Sequence, residues 1–422
     1  MKKLWSLLAF LLLFGCHPKE NRESLSCIQL TNRNGFNETI GTKERLLAFQ
    51  NTNFQSSQPY SQVLRIYKKT AEGKTPSIVT TYHPNGLPYQ YLEIIDGRAC
   101  GAYREWHANG QLKIEARVVG GGADLSAISQ KDWLFDGTCK CFDAEGNILS
   151  EIPYEKGSLE GTAVYYFPNG TIQKKISYAH NELHGNWVEF SLKGTLIQQS
   201  SFSKGKKEGI SLGFWNNETP CFFEEYEGDL LKRGEYFSSS SQRMGGVEKS
   251  KGQRVLFQKD GSFEIIDYVG GLPEGEIKSY NAKELLSHLY HVKNEQKEGE
   301  ELFFWPSSFA KPIPKLSLFW EEGMIHGTIK SWYENGSLES QKEFRRNKKN
   351  GPSSYWYPNG SLMMIEEYEE DLLQEGKYFK PHQSSCVSTV SKGEGEATLF
   401  DKDGIFLRKI HYHKGKPHEP SQ

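Results

Sequence analysis

A recurring turn sequence restricts this chain more than any other feature. "YYFPNGTI" at Tyr165 to Ile172 returns as "TYHPNGLP" at 81–88, "EWHANGQL" at 105–112, "SWYENGSL" at 331–338 and "YWYPNGSL" at 355–362. Counted from a leading Gly, the segments from Gly161, Gly185 and Gly327 each run 24 residues to the next such Gly. Relatives begin at Gly101, Gly137, Gly209, Gly252, Gly275, Gly299, Gly351 and Gly395, after a partial copy centred on Tyr82. About twelve units at a fixed period signal a repeat array rather than two or three independent globular domains. The sixth position is aromatic in every unit: Tyr82, Trp106, Phe142, Tyr166, Phe190, Phe214, Phe257, Tyr280, Phe304, Trp332, Trp356 and Phe400. The repeat also accounts for a composition of 13% aromatic residues and 41 Gly.

Inside a unit the apolar residues alternate, as in Ile172, Lys174, Ile176, Tyr178 or Leu112, Ile114, Ala116, Val118, which is the period of a strand. Each unit is therefore expected to be a β-hairpin. Pro84, Pro168 and Pro358 precede the turn Asn, so the loop should have three residues, with Pro at the first central position of a type I turn and Gly as its left-handed residue. That loop sets position 6 opposite position 12, pairing Tyr166 with Ile172 and Trp332 with Leu338. Position 18 (Tyr154, Tyr178, Phe202, Tyr226, Phe344, Tyr368, Tyr412) is expected on the same, core-forming face. Positions 3, 5 and 7 then place Trp187, Tyr165, Phe167, Phe303, Trp305, Tyr333, Tyr355 and Tyr357 on the other face, a candidate surface for protein or glycan contacts. The rival expectation is that sheet curvature or the loops bury both faces in part.

The second connection, as in "YAHNELHG" or "YEKGSLEG", has Gly or Asn in its middle and Gly at its end. The chain therefore turns back into another hairpin, and the expected fold is all-β, an antiparallel meander on the order of 115 Å long. "GTIKSWYENGSLESQKEFRRNKKNG" resembles the variant MORN repeat of bacterial proteins, a family that includes antitoxin components of toxin–antitoxin systems. The resemblance covers roughly residues 78–419. It implies an elongated β-sheet with protein or membrane contacts and no catalytic set. Glu218, Glu284 and Ser308 stand where the turn Gly is expected, so those hairpins should bend differently.

The chain opens with "MKKLWSLLAFLLLFGC", two lysines before an apolar run of roughly 18 Å as a helix, too short to span a bilayer. This has the layout of a secretory signal peptide, residues 1–15. Leu13-Phe14-Gly15-Cys16 resembles the lipobox of bacterial lipoproteins, although Phe14 is bulkier than usual there. The resemblance implies lipid attachment at Cys16 and a membrane-anchored protein of the bacterial envelope, at the outer membrane or facing the periplasm. An uncleaved anchor or an ordinary signal peptide are the alternatives. Without Lys2 and Lys3 the chain has 49 basic against 53 acidic residues, a balance that does not attract nucleic acid. In an exported protein Cys27, Cys100, Cys139, Cys141, Cys221 and Cys386 could form disulfides, in fifteen possible pairings.

Residues 16–24 read as a polar tether. Residues 25–77 read as a cap for the first sheet edge, with strands at 27–31 and 63–67 and a helix at 43–50. Insertions at 120–136, 238–251 and 380–394 interrupt the array of 78–419, and their Ser-rich and Gly-rich composition favours mobile loops. "DLLKRGEYF" at 229 and "DLLQEGKYF" at 371, each followed by "LFQKDG" or "LFDKDG", mark a duplicated block of about 142 residues.

Motifs of chemistry are weak. "GISLG" around Ser211 has the nucleophile-elbow spacing but opens a hairpin instead of a helix. "VVGGGADLS" at 118–126 lacks a P-loop Lys. Cys139 and Cys141 share one face of a strand without a second ligand pair for zinc, so buried or disulfide-linked cysteines are the simpler reading. His180 and His184 lie in a turn, and His184, His326 and His418 share one repeat position. We therefore expect no enzyme and no cofactor. The expected protein is a tethered binding or scaffolding surface for another protein; an antitoxin or immunity-type role against an exported toxin, and a cell-wall glycan-binding role, are the alternatives.

Overall fold

The computed structural model describes residues 24–216, 218–306 and 311–418. Cys16, the leader and Ser308 lie outside the described residues. The chain is all-β and falls into two compact units. One holds the described residues up to Glu182 together with Leu192–Gly194; the other holds Leu183–Ser191 and the described residues from Thr195. In each, successive strands pair antiparallel as a meander of hairpins. No helix among the described residues is long and apolar enough to cross a membrane.

The hairpin of Gly161–Tyr166 and Ile172–Ala179 shows how the turn sequence works. The Phe167 N–H donates to the Thr171 carbonyl at 2.8 Å and the Gly170 N–H to the Phe167 carbonyl at 2.9 Å. Pro168 and Asn169 are thus the central turn residues, and Gly170 takes the left-handed φ of 80° that closes the three-residue loop. Asn169 Oδ1 accepts the Thr171 N–H at 3.1 Å, a local bond that few other side chains could make. Glu218 (φ 65°) and Glu284 (φ 59°) are forced into the same left-handed place, so those hairpins keep the common turn rather than bending differently.

As expected, Tyr166 pairs with Ile172 and Trp332 with Leu338. The next pair, however, is Tyr165 with Lys174, so Gln173 is an extra, bulged residue. The bulge reverses the facing of everything beyond it, and Ile176 and Tyr178 lie opposite Ala163 and Gly161. Position 18 therefore shares its face with positions 1, 3 and 5, not with position 6, which corrects the expectation above. The same offset makes bulges of Lys113, Leu149, Ile197, Cys221, Glu339 and Leu407. Phe257 and Phe263 pair without one.

Before the array, strands Leu25–Asn32 and Tyr60–Tyr67 pair with each other, and the latter continues onto Pro76–Tyr82. A helix at Lys43–Leu47 buries Leu46, and a strand at Asn37–Ile40, unforeseen in the sequence, pairs with the first. Tyr82 donates to the Phe54 carbonyl at 2.9 Å, which locks this region over the first turn.

The insertions are built into the sheet rather than looped out. Residues 243–248 and 388–391 form extra strands, and their Val247 and Val390 are 0% and 1% exposed. In the first insertion Trp133 is 5% exposed, stands edge-on to Tyr103 at 4.8 Å and donates to the Gly122 carbonyl at 2.8 Å.

Candidate binding surface

The bulge divides each hairpin into a packed face and an open one. On the packed face lie positions 3, 5, 14, 16 and 18. Position 3 is the tightest: Ala163 and Ser353 are 0% exposed, and Ser211, Glu301 and Ala397 are 1%. Small side chains recur there because neighbouring rings and stems fill the space. Ser211 is thus a buried strand residue, with no donor or acceptor meeting its hydroxyl, and not the exposed nucleophile of an elbow.

Of the eight aromatics proposed for an outward row, Trp187, Tyr165, Phe303 and Tyr355 occupy positions 3 and 5 of this packed face, where all are half-buried. Lysine stems cover two of them: Lys174 Nζ is 4.5 Å from the Tyr165 ring centre and Lys342 Nζ 4.9 Å from that of Tyr355. Burial pushes the Lys342 ammonium below its ordinary pKa and the Tyr355 hydroxyl well above its own. Phe167, Trp305, Tyr333 and Tyr357 are at position 7, where the turn begins. Tyr357 is only 1% exposed, and its hydroxyl donates to the Phe379 carbonyl at 2.8 Å. Tyr333 donates likewise to the Trp356 carbonyl and Trp305 Nε1 to the Trp332 carbonyl, at 2.8 and 2.9 Å. These side chains tie one hairpin to the next, a role Phe167 cannot share. His83 and His107 reach the carbonyls of Trp106 and Phe142 in the same way, at 2.9 and 3.0 Å. The eight do not form one outward row, because the bulge reversed the faces and the turn consumed position 7.

The packed face also carries buried acids that the repeat pattern did not single out. Glu224, 2% exposed, accepts from Tyr226 at 2.8 Å, Tyr236 at 3.0 Å and Arg254 Nε at 2.6 Å. Glu301 accepts from His288, Lys297 and Trp320 at 2.6, 2.5 and 2.6 Å. Glu366 accepts from Tyr368 and Tyr378 at 3.1 and 2.9 Å. The signal available in the sequence was a Glu two residues from a Tyr on one strand face, as in Tyr103 with Glu105, Glu224 with Tyr226 and Glu366 with Tyr368. These networks satisfy a buried charge and hold the face rigid.

The open face is formed by positions 2, 4, 6, 12, 15 and 17. Ile210, Phe319 and Ile365 stand out there at 49%, 45% and 40% exposure. The position-6 aromatics lie on this face, half-buried at Trp106, Phe142 and Tyr166 in the first unit and at Phe190, Phe304, Trp332 and Trp356 in the second. Tyr82 and Phe400 are buried, the former under the N-terminal region. One shallow groove of about 340 Å³ opens here, lined by Glu300, Ser317, Phe319, Thr328, Lys330 and Trp332. Ser317 donates to Glu300 at 2.9 Å. Apolar rings interleaved with charged and hydroxyl side chains suit recognition of a polar partner.

Among the described residues no group of three or more His, Cys, Asp or Glu could hold a metal ion, and all six described cysteines are unpaired. His180 is a left-handed turn residue beside Glu160.

The array is thus a repeat protein of antiparallel hairpins. Residues 99–118, 135–156, 159–180, 325–346 and 349–370 match the family described as MORN repeat variant, each match covering about one hairpin. No curated protein matches the chain. Among solved structures, the crystal structure of TcdB2-TccC3 without its hypervariable C-terminal region is 9% identical, over 84% of this chain and 26% of its own, with a TM-score of 0.14. The chain therefore spans about a quarter of that protein's length. A porin-like protein from Bacteroides uniformis ATCC 8492 is 8% identical over 70% of this chain and 94% of its own, with a TM-score of 0.13. Neither resemblance is close enough to carry a functional argument.

Proposed function

We propose that the protein is a non-enzymatic binding protein whose open face receives another protein, and that the chain is tethered to a bacterial envelope membrane by lipid at Cys16. The observation that carries the binding reading is the recurrence of an aromatic at position 6, partly accessible at most copies, on the face opposite the packed one. Core packing accounts for Tyr82, Phe257, Tyr280 and Phe400, but not for the other copies, since the packed face is made by positions 3, 5, 14, 16 and 18. The MORN-variant matches support a repeat-based protein-binding role. The leader sequence supports the tether.

Both parts are testable apart. Cells fed a palmitate analogue should label the wild type and not Cys16→Ala; equal labelling of the two would remove the tether and leave the surface untouched. For the surface, Trp332→Ala and Trp356→Ala should weaken capture of the partner while leaving the melting temperature within a few degrees. A second reading, a glycan ligand, is favoured by the groove at Phe319 and Trp332, where an aromatic face adjoins Glu300, Thr328 and Lys330. Binding of cell-wall glycan strands, lost in Trp332→Ala, with no protein captured, would establish it instead.

A further inference from the structure

The strand Gly137–Phe142 carries two thiols on the packed face, Cys139 and Cys141, at positions 3 and 5 of their hairpin. Across from them on the following strand are Ile152 and Ser150; on the preceding one, Ile114 faces Cys141. Both cysteines are half-buried and unpaired, and they lie two residues apart on one face of the strand. Near Cys141 lies an ion pair, the Glu105 carboxylate holding the Lys113 ammonium at 2.5 Å, whose opposite charges act on the thiol in opposite directions.

Residues i and i+2 of an extended strand have Cα atoms about 6.5–7 Å apart, at or beyond the upper limit for an unstrained disulfide. A metal bridge fits better. Two thiolate–metal bonds of roughly 2.3 Å set in line hold the sulfurs about 4.6 Å apart, which side chains on one strand face reach without bending the backbone. Zinc wants four ligands, and among the described residues no group of three or more His, Cys, Asp or Glu could hold it. A soft monovalent cation accepts two thiolates in a line.

We propose that Cys139 and Cys141 form a two-coordinate site for a soft monovalent metal ion, of which Cu(I) is the biological example. Binding replaces the two thiol protons, which leave to solvent, and forms two sulfur–metal bonds with no change of oxidation state. The resulting bis-thiolate complex carries one negative charge, beside the Lys113–Glu105 ion pair. The apolar neighbours Ile114 and Ile152 limit access of water and oxidants.

The test is competition for Cu(I) against a coloured Cu(I) chelator, on the reduced full-length protein without oxygen. Wild type should withdraw one equivalent of Cu(I) at this site. Cys139→Ser and Cys141→Ser should each lower its affinity at least 100-fold, with unchanged circular dichroism. A chain with Cys16, Cys27, Cys100, Cys221 and Cys386 all replaced by Ser should retain it. Loss of Cu(I) uptake in that five-fold variant, provided it remains folded, or equal uptake by wild type and the doubly substituted Cys139→Ser/Cys141→Ser chain, would overturn the proposal. So would failure of the reduced wild type to compete at all.

Discussion

Arg254 Nε donates to Glu224 Oε1 at 2.6 Å, and in the second copy of the duplicated block the residue at the same hairpin position is Ala397. The acid and its two tyrosines are kept there as Glu366, Tyr368 and Tyr378. The positive charge has moved to Lys342, at the place held in the first copy by the buried Ser200. Arg254→Ala should therefore leave a buried carboxylate without its cation and cost about 3 kcal/mol, read as a fall in the urea midpoint. Lys342→Ala, which removes a stem packed on Tyr355 but no direct bond to Glu366, should cost about 1 kcal/mol. A reversed order would show that the charge has not been exchanged between the two positions.

Glu301 gives the pH dependence. Burial pushes its carboxyl up, but hydrogen bonds from Lys297, His288 and Trp320 outweigh this and hold the folded pKa below the ordinary value. A carboxyl depressed on folding stabilises the native state fully above its unfolded pKa, and that stability fades as pH falls through the folded value. The stability difference between wild type and Glu301→Gln should be constant near neutrality and shrink below about pH 4.3. Denaturant titrations at pH 7, 5, 4 and 3 would show this; a difference independent of pH would count against the ion network.

Glu284 bears a left-handed backbone at φ 59° where other units use Gly. Replacing it with Gly removes steric strain of about 1–2 kcal/mol and restores some unfolded-chain entropy. The net expectation for Glu284→Gly is a gain of about 0.5–1 kcal/mol, visible as a small rise in melting temperature. A fall would mean that the Glu side chain holds the turn.

The bulge at Gln173 predicts that this residue can be spared. Gln173 is exposed, so Gln173→Ala should change stability by no more than about 0.5 kcal/mol. Deleting the residue removes the bulge but leaves Lys174 to Tyr178 opposite Tyr165 to Gly161, so Ile176 and Tyr178 keep their face and the loss should stay at about 1 kcal/mol, read from the urea midpoint. A loss above about 3 kcal/mol would mean that the bulge itself holds the hairpin.

Strand periodicity, the Pro-Asn-Gly loop and the pairing of Tyr166 with Ile172 were legible because each follows from local chemistry. The bulge was not, since alternation of apolar residues reads the same whichever face they take, and Ile176 and Tyr178 keep their spacing through the reversal. The eight aromatics were consequently divided between the packed face and the turns. The insertions misled for a similar reason: the serines of 238–241 together with Gly245 and Gly246 hide a short strand whose Val247 is core. Buried Glu224 and Glu301 looked like solvent-facing charges until their tyrosine, arginine, histidine and tryptophan partners, several of them distant in sequence, were brought together.

The central claim is that the open face, marked by the position-6 aromatics, is where a partner protein binds. A photo-crosslinking amino acid placed in intact cells at Trp332 or Trp356 on that face, and at Tyr355 on the packed face, tests it most directly. The account predicts one discrete protein adduct from Trp332 and Trp356, weakened when the other tryptophan is changed to Ala, and none from Tyr355. Adducts from Tyr355 alone, equal adducts from both faces, or glycan adducts in place of protein would contradict it.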